Sequence, residues 1–298
     1  MMTMGINHEI NTVLNGKGGK ATKVRTLVEK VGITTNEANM LFKMWRLNNP
    51  VEPRSTFAYT FGVEIECGVD RSTFVDFSRQ FGVRVNYEGY NHIDHRDGRT
   101  FKMVSDSSVH IANSIECVSP VLDGKAAGFK TLENAVKALN ASGARVDRTC
   151  GLHVHIGVAD MTDEQYVNVF RNYAALENVI DTFMARSRRG NDCGWCYSLT
   201  RYNFGDCFNP SDVCSKLHGN RYFKVNPCSW SRHRTIEFRQ HQGTTDYKKI
   251  SYWAKFCAKL VEYSRNNVIT SCGSIDEIPF LTKTEKTFFK SRKNTLAA

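Results

Sequence analysis

The sequence predicts an α+β fold, in which an antiparallel β-sheet carries a polar functional face and helices pack on the other face. First, the candidate strands alternate polar and apolar residues, whereas strands buried on both faces read as continuous apolar runs. Second, amphipathic helical segments alternate with several of these strands and can cover one face of the sheet. Of the 298 residues, 41% are hydrophobic, which supports a large core and argues against a disordered chain.

Residues 1–50 are predicted to form a small helical appendage. Apolar residues at helical spacing indicate helices at Ala21–Val31 and Asn36–Trp45, separated by a short break at Gly32. Two helices around a short glycine turn also occur in the helix-turn-helix motif, but a helical cap on a larger domain is the more frequent source of this pattern. The proline-containing segment 48–53 is predicted to be a linker.

Residues 56–270 are predicted to form the main domain, and residues 271–298 a basic C-terminal tail. Alternating polarity predicts strands at Ala58–Cys67, Val83–Tyr87, Phe101–Val104, Ser114–Val118, Leu152–Val158, Arg221–Asn226 and Thr235–Gln240. Helical periodicity predicts helices at Ser72–Phe81, Lys130–Ala141, Thr162–Arg186 and Tyr247–Arg265. A capping box formed by Thr162 and Gln165 marks the start of the third of these helices.

The formal net charge of +10 is explained by solubility alone, or by an anionic partner such as the phosphates of a nucleotide or a nucleic acid. No apolar run approaches the length of a membrane span, and the N-terminal residues lack the apolar segment of a signal peptide. The ten cysteines are interpreted as reduced thiols, because disulfide frameworks are typical of short secreted chains. Together these features predict a cytoplasmic protein that does not bind a membrane.

The run FGVEIE at residues 61–66 is the most informative segment of the sequence. Its apolar and charged residues alternate with the period of a strand, which places Glu64 and Glu66 on one face. Two carboxylates this close repel each other unless a positive charge lies over them. A divalent cation supplies that charge most simply, so the run predicts a metal site.

Three later strands repeat this arrangement of charged and apolar residues. Polar side chains that would share a face are Glu116 in the second strand, His153 and His155 in the third, and Thr235, Glu237, Arg239 and His241 in the fourth. Charge on one strand face is common, and a single histidine is usually structural. Four such strands, if they are neighbours, predict one shared functional face.

Carboxylates dominate this set, with imidazole and without thiolate, and hard oxygen ligands suit Mg²⁺ or Mn²⁺ rather than structural zinc. Mg²⁺ is typically held by a few carboxylates together with substrate phosphates. An arginine beside the metal typically contacts a transferring phosphoryl group. The residues alone therefore predict nucleotide-dependent phosphoryl transfer on the sheet, although the segment Gly16–Lys20 lacks the spacing and the Ser/Thr of a Walker A loop.

Six short motifs follow one another in a fixed order along the chain. They are Gly-x-Glu-x-Glu at 62–66, Asp-x-Ser at 106–108, Glu-x-x-Ser-Pro at 116–120, Gly-x-His-x-His at 151–155, Arg-Tyr-x-x-x-Asn at 221–226, and Ile-Glu-Phe-Arg at 236–239 with a Gly-Thr at 243–244. In this order they resemble the amidoligase family, which belongs to the carboxylate–amine ligase superfamily with glutamine synthetase and glutamate–cysteine ligase. The resemblance extends from about Phe61 to about Trp253 and leaves the N-terminal appendage and the tail uncovered.

The resemblance implies a catalytic sheet similar to that of glutamine synthetase and an ATP-dependent ligase that forms an amide or peptide bond. ATP would phosphorylate a substrate carboxylate, and an amine or ammonia would then displace phosphate from the acyl phosphate. The implied cofactors are ATP and Mg²⁺ or Mn²⁺. The implied partners are a small-molecule or peptide carboxylate and an amine or ammonia donor, which could be a glutaminase; the chain could also assemble as a homo-oligomer.

The resemblance also implies a metal ligand set. It consists of Glu64, Glu66, Glu116, Glu237 and one of His153 and His155, between which the spacing does not decide. Glu64 and Glu66 would hold the two metals, one beside the nucleotide and one beside the acceptor carboxylate. Glu116 would complete the acceptor side, and Glu237 with a histidine would complete the nucleotide side.

Further roles are implied by the matching motifs. Catalytic roles are implied for Glu66, Glu116, Asp106 and Arg239, the last over the transferring phosphoryl group. Positions near the nucleotide or substrate are implied for Glu64, Ser108, Arg221, Tyr222 and Asn226. The irregular segment 187–220 is a candidate lid that keeps water from the acyl phosphate and clamps phosphate through Arg186, Arg188, Arg189 and Arg201, although a solvated basic loop explains it equally well.

Two alternative interpretations remain open from the sequence. A metal-dependent nuclease also uses clustered carboxylates, and a nucleic-acid-binding protein could use the basic N-terminal helices. Separately, Cys193 and Cys196 form a Cys-x-x-Cys that could be thioredoxin-like, or could join Cys207 and Cys214 in a zinc knuckle. The basic loop around this motif does not favour the thioredoxin-like reading, and the irregular spacings do not favour zinc.

Overall fold

The computed structural model describes residues 2–16, 20–48, 59–88 and 99–297. The chain divides into two compact units, Met1–Thr56 and Phe57–Ala298. The predicted linker begins at Asn48, and its residues 49–53 lie outside the described part of the chain. Among the described residues, no helix combines the length and the apolar character needed to cross a membrane.

The N-terminal unit contains three helices: α1 (Met2–Asn15), α2 (Lys20–Val31) and α3 (Thr35–Asn48). Their small core is formed by Leu14, Leu27, Ala38 and Phe42. A reciprocal capping box starts α3, because the Thr34 backbone donates to Glu37 and the Glu37 backbone donates to the Thr34 hydroxyl. The sequence predicts α2 and α3 but not α1, whose glycine and asparagines weaken the intrinsic helix preference.

The second unit is built on one mixed sheet. Its strands are β1 (Thr60–Gly68), β2 (Arg84–Tyr87), β3 (Thr100–Val104), β4 (Ser114–Val118), β5 (Leu122–Asp123), β6 (Gly151–Gly157), β7 (Val225–Asn226) and β8 (Thr235–Gln242). The order is β2-β3-β4-β1-β6-β8-β7, with β5 paired to the start of β1. Neighbours are antiparallel except for the parallel pair of β2 and β3. The α+β fold with a largely antiparallel sheet is therefore confirmed.

The helices of this unit are α4 (Arg71–Gln80), α5 (Ala126–Ala141), α6 (Asp163–Asp181), α7 (Pro210–Lys216), α8 (Ser229–His233), α9 (Tyr247–Ser264) and α10 (Lys283–Ala297). Aromatic contacts show which sheet face the long helices cover. Phe61 of β1 stacks on Phe129 of α5, and Phe238 of β8 lies against Tyr173 of α6. Because Val63 and Ile65 are on the Phe61 face, this face forms the core and leaves Glu64 and Glu66 on the other.

The residues described from the sequence as a basic tail form part of this core. A 3-10 turn at Ile275–Glu277 is followed by α10, in which Phe289 is almost fully buried. The Phe289 ring contacts Phe183 and Phe256, and the neighbouring Phe288 ring stacks on Tyr252 of α9. The lysines in this segment hide the apolar pattern that makes the helix pack.

A β-bulge interrupts the pairing of β6 and β8. Val154 pairs with Phe238, but the next pair is Leu152 with His241, so two residues of β8 oppose the single residue His153. The sequence predicts that His241 shares the polar face with Glu237, and this prediction is wrong. The extra residue turns His241 to the core side, where its ring lies against Trp253 of α9.

Candidate active site

Neighbouring strands bring the charged residues together on the face opposite the helices. Glu64 pairs with His153, and Glu66 pairs with Glu116. Directly opposed residues of an antiparallel pair share a face, so β1, β4 and β6 present these four side chains side by side. On the other side of β6, His155 pairs with Glu237 of β8, which extends the same polar surface.

His153 lies at the centre of this surface and is only 4% exposed. Its Nδ1 atom is 2.9 Å from Glu64 Oε2, 3.7 Å from Glu237 Oε1 and 4.0 Å from Glu116 Oε1. Its Nε2 atom is 3.5 Å from Glu66 Oε1. The side chains form two overlapping groups that could hold a metal ion, Glu64–His153–Glu237 and Glu66–Glu116–His153.

The carboxylates differ in their electrostatic surroundings. Burial raises the pKa of Glu116 well above its usual range, and repulsion from Glu64, Glu66 and Asp106 raises it further. Burial also acts to raise the pKa of Glu64, but attraction to His155 and hydrogen bonding to His153 outweigh it and hold the pKa well below the usual range. The surface therefore has a surplus of negative charge, concentrated around Glu116.

Glu237 is held from both sides. Asn226 of β7 donates from Nδ2 to Glu237 Oε2 at 2.5 Å, and Arg239 donates from Nη1 to Glu237 Oε1. Burial acts to raise the pKa of Glu237, but the positive charges of Arg239 and His155 lower it overall. The carboxylate is therefore fixed in its ionised form with Arg239 beside it.

His155 is oriented by Thr235, whose hydroxyl is 3.0 Å from His155 Nδ1. The other ring nitrogen, Nε2, is 3.2 Å from Glu64 Oε1. Burial acts to lower the pKa of His155, but the charge of Glu64 outweighs this and raises it. The ring of His233 lies edge-on, 6.3 Å from that of His155. His155 thus supports Glu64 at the edge of the two groups that could hold a metal ion, and it belongs to neither of them.

Gly151, at the start of β6, packs directly against the cluster. Its backbone N–H donates to Glu66 Oε2. A Cβ atom at this position would lie 2.9 Å from His153 Nε2, 3.2 Å from Glu66 Oε2 and 3.5 Å from Arg188 Nη1. The absence of a side chain therefore allows Glu66 and His153 to approach each other.

The segment of the chain that builds this site matches a known family. Residues 58–261 match the model of a family described as "putative amidoligase enzyme". The chain belongs to the amidoligase family. The resemblance recognised from the ordered motifs is therefore confirmed, and it indicates an enzyme of the ligase type. No curated protein matches the chain.

Other positions that the amidoligase motifs single out reach the same surface. Arg221 and Tyr222 lie beside Arg239, with the Arg239 guanidinium 5.7 Å and the Arg221 guanidinium 5.4 Å from the centre of the Tyr222 ring. Asp106 follows β3 and lies close enough to Glu116 to raise its pKa. Its carboxylate accepts hydrogen bonds from the backbone and the hydroxyl of Ser108, which fixes the turn.

The segment 187–220, which the sequence offers as a candidate lid, is partly buried in the structure. It contributes buried residues to the core, among them Cys196, Leu199, Phe204, Val213 and Leu217. Arg188 is buried and donates to the carbonyl of Cys150 at 2.7 Å, while the Arg189 guanidinium donates to the carbonyl of Met184. Arg201 is exposed, and among the described residues it makes no hydrogen bond or ion pair with a site residue. Packing against the core holds part of this segment in place, and its role as a lid stays a prediction.

The cysteines of the proposed zinc knuckle lie in separate places. Cys196 lies close enough to Cys193 to lower the pKa of its thiol, whereas the sulfur of Cys214 is 3.8 Å from that of Cys228. Among the described residues, the groups that could hold a metal contain no cysteine. The described residues therefore give the zinc-knuckle hypothesis no support.

Two contacts of the site were not found from the sequence. Arg188 borders the site through Gly151, but the neighbouring Arg186 and Arg189 offer the same side chain, and nothing in the sequence separates them. The carbonyl of Trp195 accepts a hydrogen bond from Arg239 Nε at 3.4 Å. Backbone acceptors carry no residue-specific signal, so only the fold reveals this contact.

Proposed function

We propose that this protein is an ATP-dependent carboxylate–amine ligase that forms an amide or peptide bond through an acyl phosphate. The observation that carries the proposal is the pair of metal-binding groups that share His153, with Arg239 beside them. Their position on the face of a largely antiparallel sheet opposite the long helices supports a relationship to the glutamine synthetase catalytic sheet. Family membership supports the ligase class.

The residues fit a hard divalent cation. The donors are carboxylates and imidazole without thiolate, which suits Mg²⁺ or Mn²⁺. The raised pKa of Glu116, caused by burial and by neighbouring carboxylates, indicates an excess of negative charge that a cation would relieve. Glu64, His153 and Glu237 would hold one ion, and Glu66, Glu116 and His153 the other. Bound Mg²⁺ would supply positive charge that neutralises phosphate oxygens.

We assign the histidine ligand to His153 rather than His155. His153 belongs to both groups, whereas His155 lies at their edge, with Nδ1 3.0 Å from the Thr235 hydroxyl and Nε2 3.2 Å from Glu64 Oε1. Arg239 is held by Glu237 and by the Trp195 carbonyl, so its guanidinium is fixed before substrate arrives. A fixed cation beside the phosphoryl group would stabilise the charge that develops during transfer, without reorganisation at that moment. Arg221 and Tyr222 flank it and would bind the nucleotide or the acceptor.

A metal-dependent nuclease remains the second candidate function, and the carboxylate cluster is the observation that supports it. That cluster suits two-metal hydrolysis as well as phosphoryl transfer. Family membership does not favour it, because the matched family is described as an amidoligase. The two functions differ in one requirement, since a nuclease needs no nucleotide cofactor.

Calorimetry with ATP, with and without Mg²⁺, tests the proposal. The wild type is expected to bind ATP in an Mg²⁺-dependent manner, and Glu64→Gln/Glu66→Gln is expected to weaken this binding at least about tenfold. Glu164→Gln, an exposed carboxylate at the start of α6, is the matched control and should bind as the wild type does. If the wild type binds no ATP under either condition and cleaves DNA with Mg²⁺ alone, the ligase proposal is wrong.

A further inference from the structure

Cys193 and Cys196 are brought together by a tight turn outside the metal-binding groups. The N–H of Cys196 donates to the carbonyl of Cys193 at 3.3 Å, which closes a four-residue turn through Gly194 and Trp195. A turn of this kind keeps its end Cα atoms within about 7 Å. Disulfides span Cα separations of about 4.4–6.8 Å, so the turn holds the two cysteines near the range of a disulfide, and a local change in the turn is enough to close it.

The two thiols differ in exposure and in reactivity. Cys193 is partly exposed, whereas Cys196 is fully buried. The hydrogen bond from Cys196, assisted by the positive charge of Arg188, lowers the pKa of Cys193 to about 5 despite its partial burial. The same hydrogen bond, together with burial, raises the pKa of Cys196. Cys193 thus has the surroundings of an attacking thiolate, and Cys196 those of a resolving thiol.

The turn is connected to the site through the residue between the cysteines. The Trp195 carbonyl accepts the hydrogen bond from Arg239 Nε, and the Trp195 ring lies edge-on against Tyr222 at 5.1 Å. Directly after Cys196, the N–H of Tyr197 donates to the Tyr222 carbonyl at 2.7 Å. A change in the geometry of the turn therefore reaches Arg239 and Tyr222 without passing through a metal ligand.

We propose that Cys193 and Cys196 form a reversible dithiol–disulfide site that sets the position of Arg239 through Trp195. The effect on nucleotide binding rests on the function proposed above, whereas the thiol chemistry does not. Closing the disulfide constrains the turn and withdraws the carbonyl that orients Arg239. The reduced protein binds nucleotide, and the oxidised protein binds nucleotide more weakly.

The oxidant required is a low-molecular-weight disulfide. The Cys193 thiolate attacks one of its sulfurs, the reagent S–S bond breaks, and one thiolate leaves with the electron pair. Cys196 then loses its proton and attacks the Cys193 sulfur of the mixed disulfide, releasing the second thiolate. Two protein thiols are oxidised to one disulfide, and one reagent disulfide is reduced to two thiols.

The thiol chemistry is tested on the full chain with oxidised glutathione, followed by peptide mass spectrometry. The wild type is expected to give the Cys193–Cys196 disulfide, and Cys196→Ser to stop at glutathione bound to Cys193. In the reduced protein, Cys193 should alkylate at least about tenfold faster than Cys272, a partly exposed thiol whose pKa burial raises. Alkylation of Cys193 no faster than Cys272, or no Cys193–Cys196 disulfide, overturns the proposal.

The link to Arg239 is tested by Mg²⁺–ATP calorimetry on reduced and oxidised protein. Oxidation should weaken binding at least about fivefold in the wild type and leave Cys193→Ser and Arg239→Ala unchanged. A disulfide that forms without weakening binding contradicts the link. If reduced wild type binds no nucleotide, the ligase proposal fails, and the link is then decided by tryptophan fluorescence. Oxidation must change the tryptophan fluorescence of the wild type and leave that of Trp195→Phe unchanged. Any other result overturns the proposed link between the cysteines and Arg239.

Discussion

Glu64 and His153 are direct partners across the β1–β6 pair, with Glu64 Oε2 and His153 Nδ1 separated by 2.9 Å. The pair joins the central strand β1 to its neighbour β6, which in turn pairs with β8, and both residues belong to one group that could hold a metal ion. The contacts that hold the sheet in register are therefore also those that build the site. Changes to the site should consequently be judged by metal affinity and by stability together.

Gly151→Ala is expected to weaken metal binding at least about tenfold, because a Cβ atom would press on His153 and Glu66. Isothermal titration with Mn²⁺ or Mg²⁺ measures this. Gly62→Ala is the matched control on β1, since its Cβ atom would find nothing closer than 3.5 Å. Equal affinities for the two variants would show that the space at Gly151 does not shape the site.

Metal affinity is expected to rise with pH because Glu116 has a raised pKa in the metal-free protein. Burial and the charges of Glu64, Glu66 and Asp106 favour its protonated form, and a metal ion must displace that proton. Affinity should therefore increase as pH rises toward this raised pKa, and titrations between about pH 5 and about pH 8 would measure the trend. Glu116→Gln cannot titrate and should flatten the profile; an unchanged slope in that variant would exclude Glu116 as the source.

Arg239→Lys and Arg239→Ala are each expected to lower the rate of the proposed ligase reaction about 100-fold or more. Lysine keeps the charge but cannot contact both Glu237 and the Trp195 carbonyl in the geometry of a guanidinium. Arg239→Ala should in addition weaken Mg²⁺–ATP binding about tenfold, because a charged hydrogen-bond donor is removed. Arg79→Lys, an exposed residue paired with Asp76, is the control. A lysine variant with wild-type turnover would remove Arg239 from the proposed chemistry.

Lys224→Met is expected to lower the free energy of unfolding by about 3–5 kcal/mol. Lys224 is fully buried, and its Nζ atom lies 2.7 Å from Glu177 Oε1 and 2.7 Å from Asp181 Oδ1. Removing it leaves carboxylates of α6 in the interior without a counter-charge. Lys216→Met breaks the more exposed pair with Asp206, which solvent screens, and should lower the free energy of unfolding far less. Urea unfolding that gives equal losses for both variants would contradict this account.

The sequence predicts the site well where strands alternate without interruption. The period of two in residues 61–66 is sufficient to place Glu64 and Glu66 on one face, and the same period holds for His153 and His155. Which strands are neighbours is a long-range property that the sequence does not carry. The choice between His153 and His155 depends on it, because only the register of β1, β4, β6 and β8 centres His153 among the carboxylates.

Prediction from sequence fails where tertiary packing overrides a local pattern. The predicted strand from Arg221 shortens to Val225–Asn226, because Arg221 and Tyr222 turn toward Arg239 instead of joining the ladder. The C-terminal helix α10 reads as a basic tail, because its lysines mask the apolar side that meets α9. Neither difference follows from propensity, since both depend on partners far away in the chain.

The bulge in β8 means that strand length and side-chain orientation cannot be varied independently. The extra residue opposite His153 is what allows Arg239 to face the carboxylates while His241 lies against Trp253. Deleting one residue there would rotate the rest of the strand by half a turn and exchange its two sides. A one-residue deletion in β8 would thus move every later side chain of the strand to the opposite face. Protein engineering, and the alignment of distant relatives, should therefore avoid a one-residue gap in this strand.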